Sequence, residues 1–184
     1  MTKLMFASDL HGDLDAVNAI LAAFEREGAE RLVLLGDLLY HGPRNDLPPA
    51  YAPKEVIARL TEYADRILAV RGNCDTEVDQ MVLPFPILAD YAVLFVDGVT
   101  VYLTHGHRFS PEAPPPMQAG DILVSGHTHV AGRREGAGGT VCLNPGSPAI
   151  PKEGTPRGYM ILEDGVFSLR DLNGKEYAAW KAKR

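Results

Sequence analysis

The chain has little cysteine: Cys74 and Cys142 are the only two in 184 residues, and they stand in unrelated contexts. A disulfide framework or a Cys-rich zinc site is thereby excluded, and a reducing compartment fits. No apolar run approaches the roughly 20 residues needed to cross a bilayer. The opening Met1-Thr2-Lys3 leads straight into a short apolar run, without the h-region and small-residue cleavage site of a signal peptide. The expectation is a soluble, cytoplasmic protein with no membrane partner. Basic charge is also scarce, at 18 Lys and Arg against 24 Asp and Glu, a net charge of -6. There is no basic stripe to attract long nucleic acid, which argues against a nuclease. A phosphate-bearing substrate stays open, because bound metal ions supply positive charge locally.

With 46% hydrophobic residues the chain can bury one substantial core, and a single domain over residues 1–184 is expected. Leu4 to Ala7 reads as a strand. Asp13 to Glu27 follows with apolar residues at Leu14, Val17, Ile20, Leu21 and Phe24, a helical period that Gly28 ends. Arg31 to Leu35, Pro53 to Tyr63 and Arg66 to Val70 then read as strand, helix and strand, so the first half is built of βαβ units. The second half is richer in strands. Tyr91 to Val96 and Val99 to Thr104 flank Asp97-Gly98, a strong hairpin signal. Asp121 to Ser125, Gly139 to Leu143, Gly158 to Glu163 and Val166 to Leu172 complete the set, the last two joined by Asp164-Gly165. The fold class is therefore α/β, a four-layer αββα sandwich of two facing mixed β-sheets flanked by helices. The proline-rich segments Gly42 to Pro53 and Pro111 to Pro116 are either rigid surface loops or walls of a cleft or an oligomer contact.

Five of the six histidines fall just past apolar runs, in company with aspartate and asparagine. The motifs are Asp9-Leu10-His11-Gly12, Gly36-Asp37, Gly72-Asn73, Thr104-His105-Gly106-His107 and Gly126-His127-Thr128-His129. Each motif alone has an ordinary structural explanation: Gly-Asp as a turn or cap, Gly-Asn as a turn. Seven such residues at five strand ends are another matter. In an open α/β sheet the carboxyl ends of the strands form the ligand crevice, so these residues can converge. Strand periodicity also predicts that Asp9 and His11, and His127 and His129, point the same way. Carboxylate, imidazole and neutral amide oxygen, without a thiolate pair, suit borderline divalent metals.

In this order the motifs resemble the calcineurin-like metallophosphoesterase superfamily, over nearly the whole chain from Asp9 to Asn144-Pro145-Gly146-Ser147. The stretches Gly36 to Asn45, Arg71 to Met81 and Leu103 to His107 are similar to those of small bacterial phosphodiesterases. The resemblance implies two divalent metal ions, Mn²⁺ first, with Fe, Co, Zn or Ni as alternatives. One would be held by Asp9, His11 and His129 and the other by Asn73, His105 and His127, with Asp37 bridging both. It further implies hydrolysis of a small-molecule or nucleotide phosphodiester by a metal-bridging hydroxide, without a covalent enzyme intermediate.

Many members of that superfamily carry Gly-Asn-His where this chain has Gly72-Asn73-Cys74. A thiol lacks the imidazolium charge that helps to bind a monoester dianion, which favours a diester over a monoester substrate. Cys74 is then either a proton donor or a small packing residue. His107 is the alternative acid, one strand period beyond His105. His41 and Arg44 are candidates for substrate contact, and Asp13 is either a support to the site or a helix N-terminal acid. Alternatives to the diesterase are a phosphomonoesterase and a protein-interaction scaffold like the retromer subunit of this fold. A dimer or tetramer is also expected as an option.

Overall fold

The computed structural model describes residues 2–182. The first half alternates as the hydrophobic pattern predicts: β1 (Leu4–Ala7), α1 (Leu14–Glu27), β2 (Arg31–Leu34), α2 (Pro53–Thr61) and β3 (Ile67–Ala69), followed by a short helix α3 (Glu77–Val82). Then come β4 (Tyr91–Val96), β5 (Val99–Thr104), β6 (Ile122–Val124), β7 (Gly132–Glu135), β8 (Val141–Asn144), β9 (Gly158–Glu163), β10 (Val166–Asp171) and β11 (Glu176–Lys181). They form two mixed sheets, in the order β11-β10-β9-β1-β2-β3 and β4-β5-β6-β8-β7. Among the described residues no helix is long and apolar enough to cross a membrane.

The local causes are readable. Asp13 caps α1 by accepting the Ala16 N–H at 2.9 Å, and Gly28 ends the helix at φ 64. That cap is the structural option left open for Asp13. The hairpin β4–β5 turns on Asp97-Gly98 and the hairpin β9–β10 on Asp164-Gly165, all four residues at positive φ as a type I′ turn requires.

Period-two alternation assigns β1 to two cores. Leu4 and Phe6 face the second sheet, among Val33, Val101, Val124 and Met160. Met5 and Ala7 face the helices, among Val17, Ile20, Leu21 and Phe24 of α1. Burying each large aliphatic or aromatic side chain in these layers stabilises by about 1.5–3 kcal/mol.

The outer layers are unequal. The helices α1 and α2 cover the six-stranded sheet, whereas the outer face of the five-stranded sheet is covered by the loop after β5, not by a helix. There the Tyr102 hydroxyl donates to the Pro116 carbonyl at 3.1 Å and the Ala137 N–H to the Pro111 carbonyl at 2.8 Å. Leu123 and Cys142 are buried beneath the loop, while Tyr91, Val93 and Phe95 at the β4 edge of the same face stay exposed. A proline-stiffened segment is enough to cover the buried pair.

One polar network ties α1 to the far strands. The Glu27 carboxylate accepts from the Tyr159 hydroxyl at 2.7 Å and from Arg170 at 2.6 Å, with its side chain only 8% exposed. Burial pushes the Glu27 carboxyl up, but Tyr159 and Arg170 outweigh it and hold the group below its ordinary range. A depressed carboxylate stabilises the fold above the unfolded-state pKa, and that contribution is lost as pH falls through the folded value. Glu27→Gln should therefore cost about 1–2 kcal/mol at pH 7. Urea unfolding at pH 7 and pH 3 should show the gap to wild type narrowing at the lower pH; a constant or widening gap would contradict this account.

Candidate metal centre

The parallel strands β1, β2, β3, β5 and β6 run to the same edge of the sandwich, and the chain leaves each of them through one of the sequence motifs. Backbone pairing continues past the strands. Asp9 N–H donates to Gly36 O at 3.0 Å, His11 N–H to Asp37 O at 2.9 Å, and Gly126 N–H to His105 O at 2.8 Å. The turns themselves are left-handed. Asp9, His11, Asp37, His127 and His129 have φ of 58, 47, 56, 68 and 60. Strand alternation is therefore not what aligns Asp9 with His11 or His127 with His129, since an extended backbone is absent there. Left-handed turns at alternate residues aim the pairs instead, a conformation that costs about 1–2 kcal/mol for a non-glycine residue. Likewise β5 ends at Thr104, and Gly106 at φ 115 breaks the extended geometry expected to align His107 with His105.

The donors converge closely. Asp9, His11 and His129 present atoms within 4.8 Å of one another, as do Asp9, Asp37 and His105, and also His11, Asp37 and Cys74. His129 Nε2 lies 3.3 Å, His11 Nε2 3.7 Å and His105 Nε2 3.9 Å from Asp9 Oδ1. Asp37 Oδ2 stands 3.8 Å from His11 Nε2 and 3.4 Å from His105 Nε2, between the two groups. The Asn73 amide oxygen is 3.0 Å from His105 Nε2, and His127 Nδ1 is 3.3 Å from the same nitrogen.

Two features fit this donor set to divalent cations. First, His11, His105 and His129 each donate Nδ1–H to a backbone carbonyl, of Tyr40, Leu35 and Ile150, at 2.7–2.8 Å. This leaves their Nε2 lone pairs directed inward, the tautomer a metal requires. The His11 and His129 Nε2 atoms then face each other at 3.2 Å, lone pair to lone pair, unless a cation or proton lies between them. Second, Asp9 Oδ1 is buried and has no hydrogen-bond partner among the described residues. A bare carboxylate oxygen in the interior costs several kcal/mol unless a charge meets it.

The ionisation pattern says the same. Burial alone would raise Asp9 and Asp37, yet the surrounding imidazoles, His105 foremost, hold both below the ordinary carboxylate range. Burial would lower His105, but Asp9 and Asp37 push it up to about 9. Burial lowers His11, His127 and His107. For Cys74, burial and Asp37 push the thiol up to about 12, so it is neutral and a poor acid at pH 7. Its N–H donates to Asp37 Oδ1 at 2.8 Å and its sulfur accepts from the Asn73 amide at 3.2 Å, which favours packing over proton donation.

Above these residues is a polar cleft of about 650 Å³. Gly42, Pro43, Arg44 and Asn45 form one wall, so the first proline-rich segment is a cleft wall, and Lys152 lies among the lining residues. Arg44 lines this cleft. His41 and His107 are not among the lining residues. The His41 ring packs between Tyr40 and Tyr51, at 4.7 and 5.4 Å between centroids. His107 sits 5.4 Å from the His105 ring with its Nδ1 unpartnered among the described residues.

Several residues that position the site escape a reading of motifs. Asp75 is buried, and its two oxygens accept from Asp37 N–H (2.9 Å), Leu38 N–H (2.9 Å) and Gly72 N–H (2.7 Å). Burial and Asp37 outweigh those bonds and lift Asp75 to about 6, still ionised at neutral pH. Ser147 donates to Asp9 O at 2.7 Å, and Asn144 donates to Gly126 O at 2.8 Å. These last two explain the Asn-Pro-Gly-Ser motif. An Asp two residues after Asn73 was the available signal for Asp75.

A family model described as the Calcineurin-like phosphoesterase superfamily domain matches residues 2–164. The chain is 49% identical over 179 residues to Phosphodiesterase YfcE of Escherichia coli K12, covering 97% of each. A solved structure of YfcE, described as a phosphoesterase from E. coli, superposes with a TM-score of 0.94 at 46% identity, over 99% of this chain and 100% of that one. Vacuolar Protein Sorting 29 from Cryptosporidium parvum shares the fold, with a TM-score of 0.61 at 19% identity over 98% of each chain.

Asp75→Asn removes no candidate ligand but replaces one acceptor oxygen with an amide that opposes a backbone N–H. The expected cost is about 2–4 kcal/mol, because a buried donor is left unpaired. Divalent-metal affinity measured by calorimetry should fall at least tenfold with the Asp37 turn displaced. Unchanged stability and affinity would remove Asp75 from its positioning role.

Proposed function

Since the chain belongs to the calcineurin-like phosphoesterase superfamily, we propose that it is a metal-dependent phosphodiesterase that hydrolyses a small-molecule or nucleotide diester in the polar cleft. The observation that carries this reading is the buried, unpartnered Asp9 Oδ1 facing three imidazole nitrogens, with Asp37 Oδ2 between the two donor groups. A protein-interaction surface does not require such an arrangement, whereas a metal-dependent hydrolase does, and a cation there would meet the bare oxygen.

In this reading Asp9, His11 and His129 hold one divalent ion, and Asn73, His105 and His127 hold a second. Asp37 serves both. The mixed carboxylate, imidazole and amide set suits Mn²⁺ first, and also Fe, Co, Zn or Ni. Ions bound there supply Lewis-acid stabilisation of charge on the phosphate and lower the pKa of water. The rest falls to the protein. Backbone carbonyls fix the imidazoles so that no reorganisation is needed when substrate arrives. Arg44 and Lys152 line the cleft, where their cations meet the non-bridging oxygens of the substrate. His107, kept neutral by burial and by His105 and His127, brings no charge of its own. Cys74 is neutral too. Neither residue supplies the imidazolium that would favour a monoester dianion, so a diester monoanion is the better substrate. The net charge of -6 and the size of the cleft suit a small molecule over long nucleic acid.

Two measurements test this. Hydrolysis of bis(p-nitrophenyl) phosphate with Mn²⁺ should exceed that of p-nitrophenyl phosphate and drop at least a hundredfold in EDTA. Turnover that survives EDTA would end the metal-dependent reading. Asp37→Asn should lower bound metal from two equivalents toward none in elemental analysis, because its carboxylate serves both positions. Loss of one equivalent alone would contradict the shared-ligand assignment.

A further inference from the structure

Next to the polar cleft lies a second depression of about 390 Å³, of different chemistry. Its walls are mainly apolar, from Leu39, Tyr51, Pro53, Ile57, Val78 and Val82. Tyr40, Cys74 and Thr76 belong to the walls of both spaces, so the trough and the cleft share one divide.

The aromatic side of the trough is braced. The Tyr51 ring meets His41 edge-on at 79° and His41 meets Tyr40 at 70°, so neither tyrosine is free to collapse into the space. Across from it, α3 presents Val78 and Val82, one helical turn apart and 67% and 46% exposed. They belong to neither hydrophobic core, and folding gains little from them there. The titratable groups of the wall, Lys54 and Asp79, leave it no dominant charge; Asp79 is engaged with Thr76 in the cap of α3.

We propose that this trough is the subsite for an aromatic ester substituent of the diester whose phosphate is bound in the cleft. The inference rests on the diesterase reading and deepens it. A diester, unlike a monoester, carries a second organic group, and that group must leave the phosphate toward some part of the protein surface. A sugar or glycerol placed here would set most of its hydroxyls against leucine, valine, isoleucine and proline, with polar partners only at the rim. A flat ring places its faces against aliphatic groups and its edge against the tyrosines. The space is also of a size that takes such a group.

The test is calorimetric titration of the Mn²⁺-loaded protein with diphenyl phosphate and with dimethyl phosphate, which share the anion and differ in the rings. Wild type should bind diphenyl phosphate at least tenfold more tightly. The double variant Val78→Ser/Val82→Ser, altered at exposed positions outside the donor set, should lose at least fivefold for diphenyl phosphate and retain its affinity for dimethyl phosphate. Leu47→Ser, at an apolar position 59% exposed and outside the trough, should change neither. Equal affinities in wild type, or a ratio unmoved by the valine substitutions, overturns the subsite. If dimethyl phosphate binds and bis(p-nitrophenyl) phosphate is hydrolysed in that case, the diesterase reading stands alone. If neither diester binds or turns over, both readings fall.

Discussion

Everything at the site depends on how closely the strand ends approach, within the six-stranded sheet and between the two sheets. A methyl group on Gly126 would overlap Ser8 Oγ and come within 2.6 Å of Asp9 Oδ2; one on Gly72 would overlap the Asp37 carboxylate; one on Gly36 would overlap the Gly72 backbone. Neither Gly72 nor Gly126 has a positive φ, so space alone requires glycine there. The pairs Gly36-Asp37, Gly72-Asn73 and Gly126-His127 are thereby explained as units. The glycine admits a neighbouring strand end, and the next residue reaches into the gap so created. At that distance the His127 N–H donates to Asp9 Oδ2 at 2.9 Å across the two sheets.

Close approach concentrates charge, and the fold does not neutralise it by itself. Asp9 and Asp37 are at most 2% exposed, and Asp75, which serves the backbone, is buried beside them. Three buried carboxylates gathered from separate strand ends would favour unfolding through desolvation alone. The chain divides the work: Asp75 is satisfied by three N–H donors, while Asp9 keeps one oxygen bare. That asymmetry separates the structural acid from the candidate ligand. The five left-handed non-glycine residues of the donor set add strain at the same place. Strain and unpaired charge together are what a ligand-binding site retains and a merely structural turn sheds.

The sequence carried most of this because the signals were of the strong kind. Regular βαβ units, two Asp-Gly hairpins and donors placed just past apolar runs depend on local chemistry that periodicity and turn preference report directly. The losses have equally local causes. The strand β7 is Gly-Arg-Arg-Glu, an exposed sheet edge with no apolar alternation to detect, and α3 is only six residues long. In β11 the inward side chains are alanine and tryptophan at Ala178 and Trp180, a weak pattern in a polar stretch. Inside the site the convergence of the seven candidate residues was legible and their geometry was not. Strand alternation and two left-handed turns both bring residues i and i+2 together, and composition does not separate them. Asp75 was missed because a buried carboxylate bound only to backbone has no partner elsewhere in the sequence to betray it.

The donor set is also uneven in depth, and this bears on how a substrate reaches it. Asp9, His11 and His129 are at most 3% exposed, whereas His127 is half-buried and Asn73 lies open on the cleft. Under the proposed assignment, one ion would have only buried donors, and the other would have buried His105 together with His127 and Asn73, which open toward the cleft. On that assignment a phosphate entering the cleft that Arg44 and Lys152 line would meet the open side first. The Asn73 loop is also where the polar cleft gives way, through Cys74 and Thr76, to the apolar trough. The residue beside Asn73 therefore stands on both boundaries at once, between buried and open donors and between phosphate and its organic group. A neutral side chain there leaves the passage between the two spaces free of a competing charge. A small one leaves it free of bulk.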